Sequence, residues 1–155
     1  MPEAYYKSPF GWLKLKAGDE ALNAIEFIEG GGYTSGSDHP VLKETLRQLD
    51  EYFKSERKTF DLKLEPEGTP FQKRVWNELL KIPFGSTITY LELARRLGDE
   101  KVIRAAGTAN GRNPIPVVIP CHRVIGSSGK LVGYAGGLQI KEWLLRHEGS
   151  FMELF

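Results

Sequence analysis

Cysteine is almost absent from this chain, because Cys121 is the only one among 155 residues. A lone thiol cannot form an internal disulfide, and it is a poor basis for a metal site. Its useful chemistry is nucleophilic, unless Cys121 is simply a small buried side chain, as many free cysteines are. Histidine is scarce too, with three in the chain, yet His122 follows the cysteine directly. The pair Cys121-His122 is therefore the first candidate for a reactive site.

Long apolar runs are also lacking. No stretch approaches the roughly 20 apolar residues that span a bilayer, and the first residues lack the basic start and apolar core of a signal peptide. We therefore expect an intracellular, cytoplasmic protein with no membrane partner. A hydrophobic fraction of 41% is enough for a core, and the length suits one domain or two small ones.

Charge is unevenly distributed, although the net charge is only +1. Residues 1–69 contain nine Lys and Arg against thirteen Asp and Glu, whereas residues 70–155 contain twelve against seven. The basic half also carries Cys121. This excess favours a polyanionic partner for that half, although a solvated basic face would give the same balance.

The acidic half predicts a hairpin followed by a helix. Apolar residues mix with lysines from Phe10 to Ile28 around a break at residues 18–20, which is typical of a β-hairpin. Three glycines at 30–32 are interpreted as a turn, because no Lys-Ser/Thr pair follows them as in a phosphate-binding loop. From Val41 to Phe53 apolar residues recur on one helical face, with Asp38 as the expected N-cap.

The basic half contains the signals of a helix-turn-helix. Capping-box patterns at Thr69 and Thr89 each open a helix, and a third helix is predicted from about Glu100 to Ala109. The second and third helices are short and separated by a tight glycine turn at Gly98. This is the spacing of a helix-turn-helix, whose second helix enters a DNA groove.

The predicted recognition helix is thin and almost uncharged, because small residues follow Arg104. Such a surface can approach DNA closely but offers few groups that read base edges. We infer binding to double-stranded DNA with little sequence preference, through phosphate contacts and shape. The alternative is that the small residues only allow two helices to pack closely.

The region around Cys121 alternates between apolar and glycine-rich segments. The β-branched run 115–119 predicts a strand that ends at Cys121. Glycine-rich loops at 126–129 and 133–137 come next, and a final amphipathic helix begins at Leu138. Such loops beside a nucleophile can line a pocket for a flat ligand, but plain turns have the same composition.

Three motifs occur in order in the basic half. They are Pro120-Cys121-His122-Arg123-Val124 after Asn113-Pro114, then Gly133-Tyr134-Ala135-Gly136-Gly137-Leu138, then Lys141-Glu142-Trp143-Leu144-Leu145. Over residues 69–149 the chain resembles the O6-alkylguanine-DNA alkyltransferase family. The resemblance implies an α/β (α+β) fold. A ribonuclease-H-like domain of sheet and helix would occupy residues 1–65, and a mainly helical DNA-binding domain with the helix-turn-helix would occupy 69–149.

The function that this resemblance implies is direct reversal of DNA damage. Family members flip O6-alkylguanine out of the duplex and move its methyl or larger alkyl group irreversibly onto the motif cysteine, here Cys121. Each molecule would act once, as a methylated-DNA–protein-cysteine S-methyltransferase. The resemblance implies no cofactor and no metal, and we expect a monomer. It leaves open the preferred alkyl size and activity on O4-alkylthymine.

The resemblance also implies roles for single residues. His122 would take the thiol proton through a water and Glu148 would orient the imidazole, because the displacement needs a thiolate. Arg104 would fill the space that the flipped base leaves. The implied catalytic residues are Cys121, His122, Glu148, Tyr90 and Asn113. The implied DNA contacts are Tyr90, Thr89, Arg104, Ala105, Arg112 and Arg123. The implied contacts with guanine are Val124, Tyr134, Ala135 and Gly136.

The sequence departs from the family pattern at two points, and two other functions compete with this hypothesis. Ala135 stands where some members have Ser, so a side-chain hydroxyl bond to O6 is missing, and one cysteine cannot support the cysteine-bound zinc of some relatives. One rival is a non-enzymatic relative that binds alkylated DNA, but such proteins replace the motif cysteine, usually with Trp. The other is a Cys-His hydrolase. Its histidine usually comes from a distant segment, and neighbours such as Cys121 and His122 point to opposite sides of an extended chain.

Overall fold

The computed structural model describes residues 1–127, 131 and 133–150. Chain contacts divide it into two compact units, Met1–Glu67 and Gly68–Phe155. Ser128 and Gly129 of the predicted loop, and Val132, lie outside the described residues. Within the described ranges, no helix is both long and apolar enough to cross a membrane. The mixed α and β content confirms the predicted fold class.

The first unit contains a three-stranded antiparallel sheet in the order β1-β2-β3. Its strands are β1 (Glu3–Ser8), β2 (Gly11–Ala17) and β3 (Leu22–Ile28). The predicted hairpin is present as β2 and β3, with Lys14 opposite Glu26. The prediction missed β1, because two adjacent tyrosines interrupt the apolar-polar alternation that identifies a half-buried strand.

One helix, α1 (Pro40–Phe53), packs against this sheet. It buries Leu42, Leu49 and Tyr52 together with the inward side chains of the strands. The predicted N-cap was wrong, because the cap is His39 and no side chain caps the helix. Pro40 at the first helical position fixes φ for the helix start, so Asp38 lies one residue too early to cap it.

The second unit is mainly helical. Its helices are α2 (Pro70–Leu79), α3 (Tyr90–Arg96), α4 (Ile103–Gly111) and α5 (Leu138–His147). Thr69 and Gln72 form the predicted capping box, and the Thr89 hydroxyl accepts from the Glu92 N–H at 3.1 Å. The predicted third helix begins as a 3₁₀ turn, Glu100–Val102, before α4. A turn at Gly98, where φ is +96°, separates α3 from this turn, so the helix-turn-helix arrangement is present.

The predicted strand at 115–119 is wrong. This segment forms buried turns, in which the Ile119 N–H donates to the Ile115 carbonyl at 2.9 Å. Pro116 has no N–H for a strand ladder, and Val117 has φ of +74°, which no strand residue adopts. Cys121 therefore begins a 3₁₀ turn, Cys121–Arg123, rather than ending a strand. The turn leads into β5 (Val124–Ile125), which pairs in parallel with β4 (Ile88–Thr89).

Candidate active site

Two asparagines hold the backbone around Cys121. Asn113 donates from Nδ2 to the Ile119 carbonyl at 2.7 Å, and its Oδ1 accepts from the Ile115 N–H at 2.9 Å. Asn110, near the end of α4, donates from Nδ2 to the carbonyl of Cys121 itself at 3.3 Å. The nucleophile candidate thus lies in a buried turn that is fixed from the C-terminal end of α4.

The Cys121 side chain is 5% exposed. Burial raises the pKa of its thiol to about 11, while a hydrogen bond with Asn113 and the nearby charge of Lys141 act in the opposite direction. Its neighbours therefore include polar groups that favour the thiolate. Because the net shift is upward, the resting side chain is a thiol at neutral pH, and a nucleophilic role requires a base.

A carboxylate, an imidazole and a guanidinium meet behind this turn. Glu148, at the end of α5, accepts from His122 at 2.8 Å between Oε2 and Nε2. Arg123 donates to both oxygens of the same carboxylate, at 2.8 and 2.9 Å, and to the Ile82 carbonyl at 2.6 Å. All three side chains are buried. These hydrogen bonds occupy both carboxylate oxygens of Glu148, so its side chain is held in one position as an anion.

The electrostatics of the trio assign the protons. Burial alone would raise the pKa of Glu148, but His122 and Arg123 outweigh it and hold that pKa below its usual range. Burial lowers the pKa of His122 against the pull of Glu148, so the imidazole is neutral at pH 7. A carboxylate cannot donate, so the proton of His122 is on Nε2. Nδ1 is then a buried acceptor, and no partner for it lies within the described ranges.

Tyr90 is the first residue of α3, and its ring lies against α4. A Cβ placed on Gly107 would stand 3.5 Å from the ring, which is an ordinary van der Waals distance, so the ring lies directly beside this helix. Burial and the charge on Cys121 both raise the pKa of Tyr90, and a hydrogen bond with Asn110 lowers it. The ionisation of the Tyr90 phenol is therefore coupled to that of the Cys121 thiol.

Lys141 is a site residue to which the sequence reasoning assigned no role. It is fully buried, and its ammonium group donates to the Val124 carbonyl at 2.7 Å and to the Gly133 carbonyl at 3.5 Å. The group also lies 5.9 Å from the centre of the Tyr90 ring. Burial lowers the pKa of Lys141 to about 8, against the pull of Cys121. Its spacing from Leu144 and Leu145, on the buried face of α5, was the signal that could have found it.

The residues predicted to contact DNA differ in their exposure. Arg104, Ala105 and Arg112 are exposed on α4 and just after it. Arg123 is different, because its guanidinium is buried and bonded to Glu148 and Ile82, so its position does not support the predicted DNA contact. Thr89 is half-buried and caps α3.

The residues predicted to contact guanine lie on two segments. Val124 is buried in β5, and its carbonyl binds Lys141. Tyr134, Ala135 and Gly136 form a turn before α5 that the bond from the Gly137 N–H to the Tyr134 carbonyl closes at 2.9 Å. Tyr134 and Gly136 are half-buried, whereas Ala135 is exposed. Lys141 thus joins both segments, through Val124 and Gly133.

A metal site is not evident in the part of the chain that the structure describes, since no three His, Cys, Asp or Glu side chains are placed to hold an ion there. The side chains that the site brings together are a thiol, a neutral imidazole oriented by a fixed carboxylate, a phenol and a buried ammonium group. Such a set can generate a thiolate and can protonate a leaving group.

Comparison with family models gives matches along most of the chain. Residues 1–66 match the model described as 6-O-methylguanine DNA methyltransferase, ribonuclease-like domain. Residues 70–150 match the model described as 6-O-methylguanine DNA methyltransferase, DNA binding domain.

Individual relatives agree with these matches. The chain is 50% identical to a methylated-DNA--protein-cysteine methyltransferase of Methanosarcina acetivorans, over 97% of this chain and 99% of that protein. It is 48% identical to the constitutive enzyme of that name from Bacillus subtilis, over 80% of this chain and 76% of the relative. Among solved structures, Mycobacterium tuberculosis OGT in complex with DNA superposes with a TM-score of 0.86 at 42% identity, covering 96% of this chain and 93% of the other.

Proposed function

The chain belongs to the 6-O-methylguanine DNA methyltransferase family, and from this premise we propose that it repairs alkylated DNA by direct reversal. The alkyl group on O6 of guanine moves to Sγ of Cys121 and stays there. The observation that carries the proposal is the 2.8 Å contact between His122 and Glu148, beside the only cysteine of the chain. This contact supports the proposal, because it fixes the orientation of a neutral imidazole in the residue that directly follows the cysteine.

The proposed reaction begins with removal of the thiol proton. His122 carries its own proton on Nε2, so Nδ1 takes the proton of Cys121 through a bridging water, and Glu148 stabilises the imidazolium that forms. Because burial keeps Cys121 protonated at rest, this transfer accompanies the approach of the substrate. The positive charge of the Lys141 ammonium group stabilises the negative charge that forms on sulfur.

The displacement itself forms the Sγ–C bond and breaks the C–O6 bond. The electron pair of the broken bond passes to guanine, which would leave as an anion unless a proton arrives. We propose that Tyr90 supplies this proton, since its phenol lies within the electrostatic influence of Cys121. The proton that His122 takes balances the one that the guanine gains.

The substrate base must leave the helix, because a thiol in a buried turn cannot reach O6 inside a duplex. We propose that α4 enters the DNA and that Arg104 fills the gap in the base stack. The exposed side chains at residues 104, 105 and 112 would contact the backbone, together with Thr89. DNA binding is thus assigned to residues 69–149, and residues 1–65 to the ribonuclease-like domain.

The proposal includes an intracellular location and a monomeric state. Its substrate is intracellular DNA, and a reducing compartment keeps the thiol of Cys121 available. Asn113 is proposed to brace the active-site turn, as its bonds to Ile115 and Ile119 suit it to do. The turn at 134–136 is proposed to contact the guanine edge.

The deciding experiment measures mass after incubation with duplex DNA that contains O6-methylguanine. The Cys121 peptide should gain one methyl group, with a yield of one per protein and no further turnover. Cys121→Ala should lose transfer but keep most DNA binding, because the phosphate contacts remain. Release of free alkyl groups with multiple turnover would support the hydrolase, and binding without mass gain would support the non-enzymatic relative.

A further inference from the structure

The two helices of the helix-turn-helix are both bonded at their C-terminal ends to side chains of α2. Arg74 donates from Nη2 to the Leu97 carbonyl at the end of α3, at 2.9 Å. Trp76 donates from Nε1 to the Ala109 carbonyl in the last turn of α4, also at 2.9 Å. The last carbonyls of a helix have no partner within the helix, so these bonds satisfy groups that the helices leave open. α2 therefore holds the ends of both helices.

The bond from Trp76 is the buried one of the two. Trp76 is 2% exposed, whereas Arg74 is exposed, so water competes for the bond that Arg74 makes. α2 packs against α4, where Ala106 and Ala109 are buried, and their small side chains let the indole approach the backbone. A buried indole N–H without an acceptor costs free energy. The ring and the end of α4 thus hold each other in position.

Gly68 leaves room for the Trp76 ring. It is the first residue of the second unit and directly precedes the capping box of α2. A Cβ built on Gly68 would stand 2.4 Å from Cη2 and 2.6 Å from Cζ3 of the indole. Carbon atoms in contact lie about 3.5–4.0 Å apart, so the buried ring would have to move. The third neighbour, Oε1 of Gln72 at 2.8 Å, ends a flexible side chain. Because φ of Gly68 is not positive, the backbone itself accepts alanine.

α4 carries groups near both ends that bear on the proposed reaction. Arg104, near its start, is exposed and is proposed to fill the base stack. Asn110, in its last turn, donates to the Cys121 carbonyl at 3.3 Å. Trp76 binds the carbonyl of the preceding residue, so it fixes the end of α4 that is joined to the nucleophile. If this end shifted, Arg104 would move with the helix, whereas the two bonds of Asn113 would still hold the Cys121 turn.

We propose that Trp76 is a positioning residue for the repair of duplex DNA, and that it acts through Arg104 by holding the end of α4. The inference rests on the proposed function. Trp76 is buried, so it acts on DNA only through α4. Loss of its N–H should impair base flipping, which needs Arg104 in the right place, and should spare the transfer to sulfur. Gly68 contributes by leaving the ring where its N–H reaches Ala109.

The test compares single-turnover transfer from duplex O6-methylguanine DNA with transfer from free O6-benzylguanine. Trp76→Phe keeps an aromatic ring and removes the donor. It should slow the duplex reaction about fivefold and the free-base reaction less than about twofold, because only the duplex requires flipping. Gly68→Ala should have the same selective effect, since it displaces the ring without removing the N–H. Equal slowing of both substrates, as general damage to the fold would cause, or no slowing of the duplex reaction, would overturn the inference.

The first unit offers matched controls. Trp12 is half-buried in β2, and a Cβ on Gly31 would stand 4.0 Å from its Nε1, which is an ordinary contact. Trp12→Phe and Gly31→Ala should therefore change neither rate. A selective loss of duplex repair in either control would mean that the effect does not depend on the end of α4, and this result would also overturn the inference.

A double-mutant cycle tests whether the effect passes through Arg104. In an Arg104→Ala background, Trp76→Phe should slow duplex repair by less than a further factor of about two, because the side chain that it positions is already missing. Full multiplication of the two single effects would contradict the inference. Gly68→Ala replaces Trp76→Phe in this cycle if the latter unfolds. Methyl transfer by the unsubstituted protein is measured first, since its absence would overturn the proposed function rather than the assignment of Trp76 alone.

Discussion

The two units treat buried polar groups in opposite ways. In residues 1–67 the buried polar side chains are the neutral Ser8, Thr45 and Gln48, and each bonds to the backbone. Among the described residues of 68–150, four ionisable side chains are buried besides the Cys121 thiol, namely His122, Arg123, Lys141 and Glu148. The described ion pairs of the first unit all keep their side chains at least 21% exposed.

The difference shows which unit buries charged groups, which costs desolvation free energy. Gln48 satisfies both ends of its amide with the backbone of Asp61, at 2.9 and 2.8 Å, so it stabilises a loop without burying a charge. A buried ion pair is often no more stabilising than apolar residues of the same size. The charges of the second unit are therefore better explained by the chemistry of Cys121 than by stability.

Among the substitutions that test this comparison, Glu148→Gln is expected to have the largest effect. The amide leaves Arg123 without its counter-charge and removes the acceptor that orients His122. We expect the free energy of unfolding to fall by about 3–5 kcal/mol. Methyl transfer should fall by about 100-fold or more, because general-base catalysis is lost. Chemical denaturation and single-turnover kinetics measure the two effects.

The matched control is Glu142→Gln, on the same helix, whose carboxylate pairs with Arg146 and is 41% exposed. It should change neither quantity appreciably. The pH dependence gives a second readout. The pKa of Glu148 is lower in the folded state than its usual 4.5, and that of His122 is lower than 6.5. Both groups therefore bind fewer protons when folded, and stability should decline as pH falls below about 6.5 and further below about 4.5.

A smaller effect is expected for Lys141→Met, which keeps the length of the side chain and removes its charge. The thiolate of Cys121 loses a favourable cation, so the pKa of the thiol should rise and alkylation at pH 7 should slow about tenfold. Because the pKa of Lys141 is about 8, the difference should narrow above that pH as the ammonium group loses its proton. Rates of iodoacetamide modification across pH measure this.

Lys81→Met is the control for that experiment, since Lys81 is 66% exposed. Parallel pH profiles for the Lys141 variant and the original protein would show that its charge does not act on sulfur. Lys141 would then be a structural link between the Val124 and Gly133 carbonyls, and the contrast between the units would weaken.

These residues also show how far the sequence predicts the site. The capping at Thr69 and Thr89 and the helix α5 followed from local patterns, because caps and helical periodicity depend on near neighbours. The segment 115–119 did not follow. A buried β-branched run has the same composition in a strand and in a turn, and only the proline and the φ of Val117 decide between them.

Side-chain direction was the second gap. The motif identifies Arg123 as a basic residue near the site, but it does not show where the side chain points. A basic side chain can bind either DNA or an internal carboxylate. The choice here depends on Glu148, which lies 25 residues further along the chain. Asn110 could not be identified from the sequence for the same reason, because its hydrogen-bond partner, the Cys121 carbonyl, lies 11 residues further along the chain.

Arg104→Ala tests an exposed charge of the second unit. Repair of duplex DNA should slow about fivefold, because the flipped base can return to an unfilled stack. Reaction with free O6-benzylguanine should not change, since the free base needs no flipping. The measurement is the ratio of the two rates. If both substrates slow equally, Arg104 acts on the site rather than on the duplex.

The smallest effect is expected for Arg47→Ala in the first unit. Like Arg123, Arg47 bonds to carboxylates, with Glu44 at 2.5 Å and Glu51 at 2.9 Å, but its side chain is 54% exposed. Solvent screens such pairs, so their net contribution is small. The midpoint of unfolding should barely move, and methyl transfer should stay within about twofold. A loss comparable with that of Glu148→Gln would mean that exposure does not separate the two kinds of ion pair, and the comparison between the units would fail.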